Sequence, residues 1–459
     1  MPRRVLACGY LPQKAKVIMV NILGLDVGRN FAVGIILDQF PTNIKRYFNQ
    51  HRKDFMRLKP VSHLSQKLIE KGFKDFNYLE QLTIDGIVLE PTGMWYSSIW
   101  VAWANYYLIP VYWVGHADLS KSRGHYGFTN KSDEHDALTL AALFHDPTWI
   151  DDFDRKKWLT FYTSEILTIR RLYLDILQCE KLRTANVNGN RQRLSLEFPE
   201  ASDQRIEISE KKGFSPFWGW LAGNYSYTWA NRRYEESSAK RLGIPISNLS
   251  KLKAKHITDL ELIITHNLSE LKEQLNNNQE FQDYLKVFKL FNFGFDNCIL
   301  LLIQCYPFNK FLIDGKQWIE WIEHEKDGKW KRRKVNHSLR QFQAYLGLAY
   351  SYEQSGDKNK KKFHGSSMCR AKLFMWVTSV ALKGFKTNYQ DLIDDPKLTN
   401  DEIDEFTIEH PNIKGELGNM IAKKTLKIYR AGVRGNDIQT RLLFYVTRLL
   451  FQELLKEIS

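Results

Sequence analysis

Along residues 20–150 short apolar runs alternate with stretches of helical spacing. MVNILGLDVG (19–28) is an apolar strand closed by a turn, and NFAVGIILD (30–38) returns as its hairpin partner. KRYFNQH (45–51) reads as a third strand. PVSHLSQKLIEKGF (60–73) has helical spacing, and LTIDGIVLEPTG (82–93) is a buried strand stopped by Pro91 and Gly93. Helix MWYSSIWVAWANYY (94–107), strand IPVYWVG (109–115) and a helix opening at Ser132 complete the stretch. The apolar run SSIWVAWANYYLIPVYWVG is broken by Asn105 and Pro110, so a helix followed by a buried strand explains it better than a membrane span.

Beyond residue 150 the spacing turns helical. Residues 155–198 carry one long pattern with a basic and an apolar face and a possible bend at Asn188-Gly189. Residues 200–255 mix Trp, Tyr, Gly and Lys/Arg without a clear period, as an inserted subdomain would. ITDLELIITHNLSELKEQLNNN (257–278) leads into a third region, and the tail from about 412 to 457 is helical again. Four segments follow: an amino-terminal extension (1–19), an α/β domain (20–150), a helical, coiled-coil-like arm with an insertion (151–280), and a mostly α-helical carboxyl-terminal domain (281–459). The extension is either a disordered arm or the product of a start upstream of Met19. Three consecutive strands, then strands alternating with helices, is the order of an RNase H-like fold.

Charge narrows the partners. The chain has 459 residues and a formal net charge of +14, an excess that suits a polyanion such as nucleic acid. Its five cysteines (Cys8, Cys179, Cys298, Cys305, Cys369) are scattered and form no zinc pattern, so reduced thiols and a cytoplasmic location are expected.

The chemistry concentrates in acids. Asp26 ends the first strand and Glu90 a later one, while Asp133 and Asp136 open the helix NKSDEHDALTLAALF (130–144). Ser132 as N-cap, with Asp133 and Glu134 at the positive end of the dipole, accounts for ordinary capping. Asp136 is a turn further in, on the face of Asp133, and is one acid more than capping needs. In the expected sheet all four carboxylates could converge. Clustered carboxylates repel unless a cation compensates, and their hard oxygens suit Mg²⁺ or Mn²⁺; two such ions can clamp a phosphodiester. Taken singly, Asp26 reads equally well as a turn residue and Glu90 as a strand end.

LGLDVGRN, VLEPTGMWY and KSRGHYGFTNKSDEHDALTLAAL together resemble the amino-terminal domain of the DEDD transposases, the IS one-ten insertion-sequence family that includes the pilin-gene invertase. The resemblance implies a RuvC-like domain whose catalytic, metal-binding acids are Asp26, Glu90, Asp133 and Asp136, with Lys131 beside them on nucleic acid. It covers about residues 20–150 most strongly and continues through RRLYLDILQCEKLRTANVNGNRQRLSLEFPE. In the second half, FQAYLGLAYSYEQSGDKNKKKFHGSSMCRAKLFMWV resembles the family's transposase block at Gly347-Leu348, Ser355-Gly356, Gly365 and Arg370. By that resemblance Ser355 is a nucleophile forming a phosphoserine link to DNA; without it, Ser355-Gly356 is a turn before a solvated lysine run.

The chain departs from the family at Tyr350, where proline is usual, at FNFGFDN, which keeps only Gly294 of a Gly-Ile-Gly hairpin, and at RAGVRGND in the tail. Ser366 and Ser367 are rivals of Ser355 but read better as helix caps. KDGKWKRRKV (326–335) and DKNKKKF (357–363) combine cations with aromatic rings, a pattern for nucleic-acid contact that solvated loops also show. Lys329, Trp330, Lys331, Arg332, Arg333, Lys358, Lys360, Lys361, Lys362 and Arg370 are the candidate contacts. Trp95 reads as core.

The expectation is a DNA transposase or site-specific recombinase, cutting and rejoining DNA with a Mg²⁺ (or Mn²⁺) site and a serine. The resemblance further implies guidance by a structured RNA and assembly as a homo-oligomer, dimer or tetramer. Two alternatives stay open: an invertase or Holliday-junction-type endonuclease without a covalent serine, and an inactive nucleic-acid-binding remnant.

Overall fold

A computed structural model describes residues 20–91, 96–150, 156–159, 164–202, 206–326, 329–355 and 358–458, with backbone alone at 164, 324, 326, 329, 331, 351–355 and 358–362. The amino-terminal extension, Thr92 to Trp95 and Gly356 lie outside the described residues. The chain divides into two compact units, residues 1–161 and 162–459.

The first unit is built on a six-stranded mixed sheet in the order β4-β3-β2-β1-β5-β6. Its strands are β1 (Ile22–Val27), β2 (Ala32–Leu37), β3 (Met56–Leu58), β4 (Phe73–Lys74), β5 (Gly86–Leu89) and β6 (Val111–Trp113). β2 runs antiparallel to β1, whereas β5 and β6 run parallel to it. β1 is buried along its whole length because both of its faces are covered. Leu23, Leu25 and Val27 meet Trp100 and Trp103 of helix α1 (Ser98–Tyr106). The alternate residues Ile22, Gly24 and Asp26 face the other way.

Two segments depart from their sequence reading: of PVSHLSQKLIEKGF only Gln66–Glu70 is helical, and Phe73 lies in β4. KRYFNQH lies in a helix, Ile44–Gln50, rather than in the third strand. Asn43 caps it by accepting a hydrogen bond from the Arg46 amide at 2.9 Å, and Ile44, Tyr47 and Phe48 recur at i, i+3 and i+4 toward the core. β3 takes the third place in the sheet. A helix that the sequence pattern did not single out, α2 (His116–His125), follows β6, and α3 (Asp133–His145) closes the unit.

The second unit is mostly helical. Helices α4 (Ser164–Glu197) and α5 (Asn248–Asn277) form a long pair. Arg183 reaches Glu261, and Asn190 reaches Ser250, so the two helices run in opposite senses. α4 is continuous through Asn188-Gly189, where a bend was expected, and the buried Asn190 amide donates to the Ser250 carbonyl at 3.0 Å. Short helices between the pair surround Phe198, Phe217 and Trp218.

The first turns of α4 join the core of residues beyond 280, around Phe288, Phe308, Phe342 and Leu450. Two hairpins interrupt the helices: β7 (Ile319–Lys326) with β8 (Lys329–Asn336), and β9 (Tyr350–Ser355) with β10 (Lys358–Phe363). The described residues of both basic runs therefore lie in strands and not loops. Among the described residues no helix is long and apolar enough to cross a membrane.

Candidate active site

The site begins with a missing side chain. Gly24 lies two residues before Asp26 on the same face of β1. A β-carbon there would stand 2.1 Å from the Ala137 carbonyl oxygen and 2.8 Å from the Ala141 β-carbon. Glycine thus lets α3 lie directly on the strand, and its first turn arrives beside Asp26.

Sheet register supplies the second acid. Leu25 pairs with Leu89 in the parallel β1–β5 ladder, so Asp26 and Glu90 are each one step further along, at the carboxyl ends of adjacent strands. Both are nearly buried, at 9% and 8% exposure, in a place where open α/β sheets commonly bind ligands.

The helix start supplies the other two. Ser132 is the N-cap, its side chain accepting from the His135 amide at 3.1 Å. Asp133, in the first turn, is exposed, whereas Asp136 is 1% exposed. Capping therefore accounts for Ser132 and not for a buried carboxylate one turn on.

Burial, and then the charges of Asp136, Asp133 and Glu90, push Asp26 up from 3.8 to about 7, with Lys131 opposing. The other three acids thus all act on Asp26. Arg123 of α2 donates to Asp136 Oδ1 at 2.5 Å, and His116 Nδ1 lies 2.8 Å from Glu90 Oε2. Lys131 Nζ is 4.0 Å from Asp136 Oδ2. That Oδ2 atom is buried and has no hydrogen-bond partner.

A buried carboxylate oxygen without a hydrogen-bond partner, near an Asp26 whose proton affinity its neighbours raise, is the donor chemistry a hard divalent cation satisfies. Among the described residues no three His, Cys, Asp or Glu side chains already close around one point as a finished cage. Arg123 and His116 hold two of the four carboxylates in this arrangement. The donor set fits Mg²⁺ or Mn²⁺, with Asp26, Glu90, Asp133 and Asp136 as the groups that would hold it.

His116 and Arg123 are absent from the sequence-based set. His116 had a signal: VYWVGH ends a parallel strand just as LGLD and VLE do. Arg123 had none, because its partner Asp136 is reached across a turn between two helices.

The remaining candidates belong to the second unit. Ser355 is the last residue of β9, in register with Lys358, and its side chain lies outside the described residues, as do those of Lys329, Lys331, Lys358, Lys360, Lys361 and Lys362. Trp330, Arg332 and Arg333 are exposed, and Arg332 Nε donates to Glu323 at 2.8 Å. Arg370 donates to the Gly347 carbonyl at 2.8 Å and lies over the Phe363 ring at 4.6 Å. It braces the hairpin base. Ser366 caps the helix Ser367–Trp376 by accepting from the Cys369 amide. Gly294 likewise stands as N-cap of the helix Phe295–Cys305.

No protein-family profile and no curated protein matches this chain.

Proposed function

We propose that this chain is a DNA transposase or site-specific recombinase that cuts phosphodiesters at a divalent-metal site formed by Asp26, Glu90, Asp133 and Asp136. The observation that supports the reading is that Asp26 and Glu90 end adjacent strands and that Asp133 and Asp136, on one helix start, act with Glu90 on the charge of Asp26. An ordinary fold avoids this arrangement, because each ionised acid raises the cost of the next. The strand order, with one antiparallel strand beside β1 and two parallel strands beyond it, supports an RNase H-like, RuvC-like domain.

Mg²⁺ or Mn²⁺ would supply Lewis-acid activation of the attacking and leaving oxygens. The chain's own residues do the rest. Asp26 and Glu90 fix donors on the rigid sheet, and Asp136, held through Oδ1 by Arg123, keeps Oδ2 available. Lys131, exposed beside Asp136, is placed to neutralise a scissile phosphate. In this reading Ser355 provides the covalent link that conserves bond energy for rejoining. Guidance by a structured RNA and assembly into a dimer or tetramer enter only through the resemblance of the motifs.

The test is Mg²⁺-dependent cleavage of DNA carrying the ends of the mobile element, with adducts resolved on denaturing gels. Cleavage with a covalent protein–DNA adduct that disappears in Ser355→Ala supports the recombinase. Nicking that survives Ser355→Ala without an adduct favours the endonuclease. DNA binding without any metal-dependent cleavage indicates the inactive remnant.

A further inference from the structure

The hairpin β7–β8 displays two tryptophans that the fold does not bury. Trp321 and Trp330 are 63% and 72% exposed, although indole is among the largest apolar surfaces a side chain can leave in water. In the ladder Trp321 pairs with Lys334, Glu323 with Arg332, and Glu325 with Trp330. Alternation along each strand then puts both tryptophans on one face, with Arg332 and Lys334 and with Glu323 and Glu325. The opposite face carries Val335, which is 2% exposed and so marks the side turned toward the body of the unit. The tryptophan face looks outward.

Two steps of two residues separate the tryptophan rows, about 13 Å along the ribbon. That is roughly four base-stacking steps of about 3.4 Å. Arg332 stands between them, tied to Glu323, whereas Arg333 and Lys334 have no ion pair among the described residues. β8 supplies Lys329, Lys331, Arg332, Arg333 and Lys334, so the ribbon as a whole is positive, while on the tryptophan face Arg332 and Lys334 stand against Glu323 and Glu325. Flat rings at intervals, with cations among them, are what sequence-tolerant binders of unpaired strands use. A duplex would offer its phosphates to this face but keep its base faces covered.

We propose that the outward face of this hairpin is a stacking platform for single-stranded DNA, holding about four nucleotides between Trp321 and Trp330. The polymer's identity rests on the proposed cutting and rejoining, since exchanging strands between DNA partners passes through unpaired DNA. The stacking chemistry rests only on the hairpin.

The experiment is fluorescence anisotropy of labelled DNA 12-mers with the full chain in EDTA, which separates binding from cutting. Trp321→Ala with Trp330→Ala should weaken single-strand affinity at least about tenfold, and the corresponding double phenylalanine variant should recover most of it. Lys334→Gln should lower the salt slope by about 0.7. Unchanged affinity in a double alanine variant with wild-type circular dichroism overturns the proposal. So does tighter binding of duplex, or of RNA of the same sequence. A change in oligomeric state without a change in affinity would instead assign the face to a second copy of the chain. Tryptophan-dependent binding in a protein that never cleaves DNA leaves the platform standing and removes the reading of the acidic site. Cleavage without tryptophan-dependent binding does the reverse.

Discussion

Gly24 lies so close beneath Ala137 that a β-carbon would stand 2.1 Å from the Ala137 carbonyl oxygen. This contact sets the distance between β1 and α3, and so between Asp26 and Asp136. Gly24→Ala must push the helix away from the strand. We expect a loss of stability of about 1–3 kcal/mol, as for other overpacked cores, together with weaker divalent-ion binding. Thermal melts and Mn²⁺ titration of the variant check both effects. An unchanged Mn²⁺ affinity would show that the close approach does not position the acids.

Asp26 gives a pH dependence with a definite sign. Its folded value of about 7 lies above its ordinary 3.8, so the metal-free folded state holds a proton that the unfolded state has released. The resulting cost is absent below pH 4, grows between about 4 and 7, and is full above that. Metal-free stability of the first unit should therefore fall over this window. Asp26→Asn should raise the melting temperature by roughly 3–6 °C at pH 8 and leave it unchanged at pH 4, for a cost discounted to ~1–2 kcal/mol. Equal shifts at both pH values would contradict the assignment. Added Mg²⁺ should stabilise the wild type more at pH 8 than at pH 5.

Arg123 orients Asp136 through Oδ1, at 2.5 Å, and leaves Oδ2 without a hydrogen-bond partner, 4.0 Å from Lys131 Nζ. Outer-shell partners of this kind typically alter metal affinity 10–100-fold. Arg123→Ala should weaken Mn²⁺ binding within that range, with Arg123→Lys intermediate. Tighter binding in Arg123→Ala would mean that the guanidinium competes with the ion.

His116 touches Glu90 at 2.8 Å from a largely exposed side chain. His116→Gln keeps a hydrogen-bonding group near Glu90 and removes the ring. We expect the pH profile of cleavage to shift while DNA affinity stays the same. A uniform loss of affinity would place His116 on the nucleic acid instead.

The sheet was legible where alternation and turn signals agree, as in LGLDVGRN followed by FAVGIIL. Singly, Asp26 and Glu90 read equally well as a turn residue and a strand end, and only their joint placement with Asp133 and Asp136 singles them out. Asp136 is visible as the acid that capping leaves over. KRYFNQH misleads because seven residues with five polar positions fit either period, and the Asn43 cap decides in favour of a helix. The two hairpins are hidden by their own charge: KWKRRKV and KNKKK offer no apolar alternation, and pairing with β7 and β9 makes them strands. Arg123 could not be read at all, since its meaning depends on a contact between α2 and α3.

The most direct measurement is Mn²⁺ binding to the full chain, followed by electron paramagnetic resonance of the free ion, in the wild type and in Asp136→Asn. Circular dichroism of the variant should match the wild type, because Ser132 still caps the helix. We expect saturable binding at pH 8 in the wild type and its loss in Asp136→Asn, together with loss of Mg²⁺-dependent cleavage. A folded wild type that binds no Mn²⁺, or a variant that binds it equally well, would contradict a metal site formed by Asp26, Glu90, Asp133 and Asp136.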